Sequence, residues 1–131
     1  MIEIKDLNKR FASAQVFKNY NKQFNGKKTC LQAANGKGKT TLLMIIAGLE
    51  SSQSGYVLFN SETIESVQNY VSIASDRIAL PDFLTARQII ELSCKAVKKE
   101  IPEQLITGFR FDEHLNTRFS ALSSGNQKKC Q

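Results

Sequence analysis

Ala33-Ala34-Asn35-Gly36-Lys37-Gly38-Lys39-Thr40 sets two glycines, two lysines and a threonine between two apolar runs, Thr29-Cys30-Leu31-Gln32-Ala33 before it and Thr41-Leu42-Leu43-Met44-Ile45-Ile46-Ala47-Gly48 after it. The first run has the length and composition of a buried strand, and the second reads as an apolar helix with Gly48 near its C-cap. The loop between them fits the phosphate-binding pattern G-x-x-x-x-G-K-[ST] at every defined position except the first, where Ala33 replaces glycine. Phosphate oxygens need several backbone N–H groups turned into one small concavity, which a side chain at Gly36 or Gly38 would obstruct. The helix that follows adds its partial positive charge, Lys39 supplies a mobile cation for the β- and γ-phosphates, and the Thr40 hydroxyl is the expected ligand to Mg²⁺. A lysine-bearing turn with no ligand is the plain alternative, and the setting between strand and helix argues against it. Ala33 weakens the loop by up to about 1 kcal/mol without abolishing it.

Upstream, Ile2, Ile4 and Leu7 begin an amphipathic strand. After a break at Ala12-Ser13-Ala14-Gln15, Val16-Phe17, Tyr20 and Phe24 supply a second one, so the N-terminus reads as antiparallel β. Asn25-Gly26-Lys27-Lys28 is the turn into the phosphate-loop strand. Downstream of the polar turn Ser51-Ser52-Gln53-Ser54-Gly55, strands are predicted at Tyr56-Val57-Leu58-Phe59 and Tyr70-Val71-Ser72-Ile73-Ala74. The character then changes. Thr85 is a helix N-cap, Ile89, Ile90, Leu92 and Val97 recur at helical spacing, and Pro102-Glu103-Gln104-Leu105-Ile106 opens a second short helix. The reading is an α/β chain with a β-rich, phosphate-loop part over residues 1–76 and a helical part over residues 77–131.

The bulk properties set limits. With 131 residues, 41% of them hydrophobic and 23% charged, the chain is one globular domain at most. No stretch approaches the roughly 18–20 consecutive apolar residues of a membrane span, and Met1-Ile2-Glu3-Ile4-Lys5 is no signal peptide, so a cytoplasmic chain without direct membrane insertion is expected. Cys30, Cys94 and Cys130 form neither a disulfide framework nor a metal pattern and read as idle thiols. The net charge of +6 is spread over scattered lysines without interleaved aromatics, a solvated surface rather than a nucleic-acid interface.

A second motif narrows the field. Leu122-Ser123-Ser124-Gly125-Asn126-Gln127-Lys128-Lys129 resembles the LSGGQ signature of the ATP-binding cassette (ABC) ATPases, with Ser124 in place of the first signature glycine. A serine-glycine turn opening a helix can offer the Ser123 hydroxyl and the Gly125 N–H to an anion; taken alone, Ser-Ser-Gly-Asn is more often a surface turn. With the phosphate loop upstream, the pair implies a P-loop NTPase core with an antiparallel β subdomain and a helical subdomain. In that family the signature caps the γ-phosphate held by the opposite subunit. The resemblance implies ATP contacts from Phe11, Ala33, Ala34, Asn35, Gly36, Lys37, Gly38, Lys39, Thr40 and Thr41, and in trans from Leu122 through Gln127. Phe11 resembles the aromatic that stacks on adenine, its other reading being a core residue of the β subdomain. Ser54 to Asn60 is similar to the strand after the loop, and Leu84-Thr85-Ala86-Arg87 to the opening of the helical subdomain. The family's Q-loop glutamine falls on Asp76, or on Ser75 if the register slips, so the implied metal ligands are Thr40 and Asp76.

The family's Walker B strand ending in Asp-Glu, and its switch histidine, have no counterpart here, and His114 reads as a surface residue. The expectation is therefore a cassette truncated before Walker B, in which the sheet edge beside Thr29–Ala33 is open to another chain and hydrolysis by this chain alone is disfavoured. The leading reading is the ATP-binding subunit of an ABC transporter. Its implied partners are ATP with Mg²⁺, a second ABC ATPase domain and a transmembrane subunit at the inner face of the membrane. The compact helical part suggests the export type by analogy. The alternatives are a non-transport ABC protein of translation or DNA repair, and a catalytically silent nucleotide-binding module.

Overall fold

The computed structural model describes residues 1–75 and 77–131. Its contacts fall into two compact units, Met1–Ser72 and Ile73–Gln131, each with its own core.

In the first unit the alternating N-terminal sequence forms β1 (Ile2–Phe11), which turns at Ala12 and Ser13 into β2 (Ala14–Phe24). A third strand, β3 (Ser54–Phe59), pairs antiparallel with β1 on its other side, giving the order β2-β1-β3. One irregularity controls which side chains point inward. Asp6 takes a left-handed φ of 49°, and the β1–β2 register shifts between Ile4 and Leu7. Asn21 holds the bulge on both sides: its Oδ1 accepts from the Asp6 amide at 3.0 Å and its Nδ2 donates to Asp6 Oδ1 at 3.1 Å. A bulge adds one residue to one strand, so the inward parity changes across it. Ile4 faces in before it, and Leu7 and Lys9 face in after it.

The helix α1 (Lys39–Ile46) packs Leu42, Ile45 and Ile46 on Ile4, Leu7 and Phe17 of the hairpin. Burying side chains of this size is worth about 1.5–3 kcal/mol each, which is what seats the phosphate-loop helix. Gly48, with φ 70°, follows its end.

The second unit begins its helical part where the sequence places it. Thr85 caps α2 (Ala86–Ala96) through a complete capping box: Thr85 Oγ1 accepts from the Gln88 amide at 3.3 Å, and Gln88 Oε1 accepts from the Thr85 amide at 2.9 Å. The short helix α3 (Glu103–Gly108) follows, and Ile89, Ile106, Phe111, Leu115 and Phe119 form the centre of a core that also holds Leu122 and Cys130. The last helix is α4 (Ser124–Lys129).

Two predicted strands do not form. Thr29–Ala33 is irregular, with Leu31 half-buried and the rest exposed, and the residues from Val71 to Ala74 are irregular after a short 3₁₀ turn at Val67–Asn69. Both are apolar enough for a strand, but a strand exists only as part of a ladder, and the described sheet ends at β2 and β3 without reaching either segment. The open edge expected beside Thr29–Ala33 is accordingly not a strand edge. Among the described residues no helix is long and apolar enough to cross a membrane.

Candidate nucleotide-binding site

Gly36 and Gly38 both occupy the left-handed region, with φ of 78° and 83°. Gly38 is also pressed onto the hairpin: a Cβ there would lie 2.5 Å from Val16 Cγ1 and 2.9 Å from Phe17 Cζ, closer than side-chain atoms tolerate. Gly36 has no such neighbour within 4 Å. The loop is tightened by the Lys37 amide donating to the Ala34 carbonyl at 3.3 Å, and Gly38 then serves as the N-cap of α1. Its carbonyl accepts from Leu42 at 2.8 Å, the first bond of the helix, so the amides of Lys39, Thr40 and Thr41 have no helical acceptor one turn back.

Lys39 is the first residue of α1, and its ammonium folds back over the loop, donating to the carbonyls of Ala33 at 2.6 Å and Ala34 at 3.0 Å. Thr40 is half-buried and Thr41 is buried in the first turn. A cation, a row of free amides and the positive end of a helix dipole are thus gathered at one turn, with Asn35, Gly36 and Lys37 exposed beside them. The donor set fits a polyphosphate, and the Thr40 hydroxyl is an oxygen ligand of the hard type Mg²⁺ prefers. Among the described residues no group of three or more His, Cys, Asp or Glu is arranged as a metal site. Asp76, the second expected ligand, lies outside the described residues. Its alternative, Ser75, has its backbone amide and carbonyl engaged by the Gln131 side chain at 2.7 and 3.2 Å.

Phe11 ends β1 with 43% of its surface exposed, which counts against the core reading. Its ring is touched by the Lys9 ammonium, 4.5 Å from the centroid. Lys9 is the residue that sequence reasoning missed: counted among solvated lysines, it is 4% exposed and bonded to Glu50. The signal was available, since the odd step from Ile4 to Leu7 in an alternating strand requires a bulge, after which positions 7, 9 and 11 share a face.

In the second unit the signature-like motif is a capped helix start. Buried Leu122 anchors it, Ser123 caps α4 by accepting from the Asn126 amide at 3.3 Å, and Gln127 Nε2 ties it to the Phe119 carbonyl at 3.0 Å. Ser124 and Gly125 are exposed, with open space around Gly125. Burial pushes the nearby Cys130 thiol up to about 11. His114 is half-buried, its ring 5.7 Å from that of Phe111.

Comparison with known proteins identifies this arrangement. The family model described as ABC transporter matches residues 18–131, and the chain belongs to that family. It is 32% identical over 138 aligned positions to the spermidine/putrescine import ATP-binding protein PotA of Thermotoga maritima, covering 98% of this chain and 38% of that protein. It is 50% identical over 62 residues to the sulfate/thiosulfate import ATP-binding protein CysA of Nitrosomonas europaea, covering 47% of this chain and 17% of that protein. The chain therefore spans well under half the length of either relative. Among solved structures it matches the ATP-binding subunit of an ABC transporter with a TM-score of 0.82 over 99% of this chain and 59% of the other, at 22% identity, which establishes the fold.

Proposed function

We propose that this chain binds ATP with Mg²⁺ at the loop Ala33–Thr41 and is the nucleotide-binding part of an ABC transporter whose transport is driven by ATP hydrolysis in the complete protein. The observation that carries the proposal is the loop itself: two left-handed glycines, the Lys39 ammonium and the unpaired amides at the start of α1 converge on one turn. Lys39 would hold the β- and γ-phosphates, and Thr40 and Asp76 would hold Mg²⁺, which when bound would supply charge neutralisation at the phosphates. Phe11 stacks on the adenine. Leu122 to Gln127 serve the nucleotide of a second ABC ATPase domain in a dimer, and a transmembrane subunit completes the transporter at the inner face of the membrane. The functional division runs between residues 1–76 and 77–131. The named relatives are import ATP-binding proteins, which favours import over the export type suggested by the compact helical part.

The test is calorimetric titration of the whole protein with ATP·Mg²⁺. A hydrogen bond to a charged group is worth about 1.5–3 kcal/mol, so Lys39→Ala should weaken binding roughly 10- to 100-fold. Equal affinity in the two proteins, both shown to be folded, removes the assignment.

A further inference from the structure

We propose that Lys9 is a positioning residue for the base: its ammonium fixes the Phe11 ring for stacking and ties that ring's strand to the chain leaving α1. The proposal rests on the reading of the loop and of Phe11 given above.

Among the described residues Lys9 is the one charged side chain that is buried. Removing an ammonium from water is unfavourable unless its donors are paired. Here two of its three donors are used, on Glu50 Oε1 at 2.5 Å and on the Ser51 carbonyl at 2.5 Å. The Phe11 ring meets the same ammonium. A cation over an aromatic face is attracted by the ring's quadrupole, and the attraction is stronger where water is excluded.

The Phe11 ring sits at the end of β1, belongs to neither core, and is half in solvent. Glu50 and Ser51, in contrast, are held. They follow α1, and two residues on Gln53 is stitched along the same strand: its amide donates to the Asn8 carbonyl at 2.9 Å, its Oε1 accepts from the Arg10 amide at 2.9 Å, and its Nε2 donates to the Arg10 carbonyl at 3.1 Å. Lys9 thus spans from the segment leaving the phosphate-loop helix to the ring that receives the base. A ring already held loses less freedom when a planar ligand covers it, and that saving goes to adenine and not to phosphate.

The experiment compares ATP·Mg²⁺ with inorganic tripolyphosphate·Mg²⁺ by calorimetry on the whole protein, as wild type, Lys9→Met, Lys9→Arg, Phe11→Ala and the Lys9→Met/Phe11→Ala double variant. Lys9→Met should weaken ATP roughly two- to tenfold, the freedom of one side chain, and leave tripolyphosphate unchanged. Lys9→Arg should keep the ATP affinity, and Lys9→Met should add nothing in the Phe11→Ala background. Equal losses for both ligands, or an undiminished Lys9→Met effect without the Phe11 ring, overturn the positioning role. Failure of wild type to bind either ligand overturns the loop reading and this proposal together. If Lys9→Met does not fold, the wild-type protein still decides: the Lys9 ε-methylene proton resonances should shift with adenosine and not with tripolyphosphate, and indifference to adenosine overturns the proposal.

Discussion

Replacing Gly38 by alanine separates two demands that the loop makes on one residue. The first is conformational: at φ 83° an L-residue is in the left-handed region, at a cost of about 1–2 kcal/mol. The second is steric, because the new Cβ would stand 2.5 Å from Val16 Cγ1 and 2.9 Å from Phe17 Cζ, and Phe17 belongs to the core that seats α1. Overpacking a filled site typically adds about 1–3 kcal/mol. The sum, about 2–5 kcal/mol, is a large part of the roughly 5–15 kcal/mol that stabilises a domain. Gly36→Ala is the control. It shares the left-handed backbone, with φ 78°, and has nothing within 4 Å of the new carbon, so only the first cost of about 1–2 kcal/mol applies. Native-state hydrogen exchange at the amides of β1 and β2 reads the first unit alone, and the two variants should differ by about 1–3 kcal/mol in opening free energy there. A difference below about 0.5 kcal/mol would show that the loop does not bear on the hairpin, and the account of why the loop is held would fail.

Phe11→Ala should cost about 1–3 kcal/mol of ATP affinity, the value of an aromatic under a nucleobase, while thermal stability moves little because the ring is exposed; the opposite pattern in calorimetry and melting would return Phe11 to the core. Thr85→Ala removes the side chain that accepts from the Gln88 amide and should destabilise the second unit by about 1 kcal/mol in urea unfolding, with no change refuting the cap's contribution. Exposed Cys30 should react with a thiol reagent far faster than buried Cys130 at pH 8; comparable rates would contradict the burial of Cys130. Because Cys130 is raised from 9.0 to about 11, the stability it contributes is complete below pH 9 and is lost as pH rises through about 11, which alkaline unfolding of wild type against Cys130→Ala measures.

What the sequence made legible was what short-range patterns decide. The helix after Lys39, the capped helix after Thr85 and the antiparallel pairing of β1 with β2 all follow from spacing and capping within a dozen residues. Thr29–Ala33 and Tyr70–Ala74 carry the same apolar signal, yet a strand is a property of two segments, and composition names only one of them. The phosphate-loop pattern was legible because its glycines are demanded locally, and Gly36 and Gly38 both take left-handed backbone. Lys9 was legible only in part: the step from Ile4 to Leu7 signals the bulge that turns it inward, but its partner Glu50 is brought alongside only by the fold.

Two of the three donors on the Lys39 ammonium are engaged, since the carbonyls of Ala33 and Ala34 hold it across its own loop. On the proposed function, a polyphosphate that takes more than the third donor at the start of α1 would have to trade places with those two oxygens. Binding becomes an exchange, and the apparent dissociation constant is the intrinsic one divided by the fraction of time the clasp stands open. A clasp favoured by about 1.4 kcal/mol would make the apparent dissociation constant roughly tenfold weaker than the intrinsic one. On the same reading the clasp would screen the loop against weaker anions, because an anion unable to repay two charge-assisted bonds gains nothing by displacing them. Selectivity for a chain of phosphates over a single one can thus be set by a contact in which no phosphate takes part.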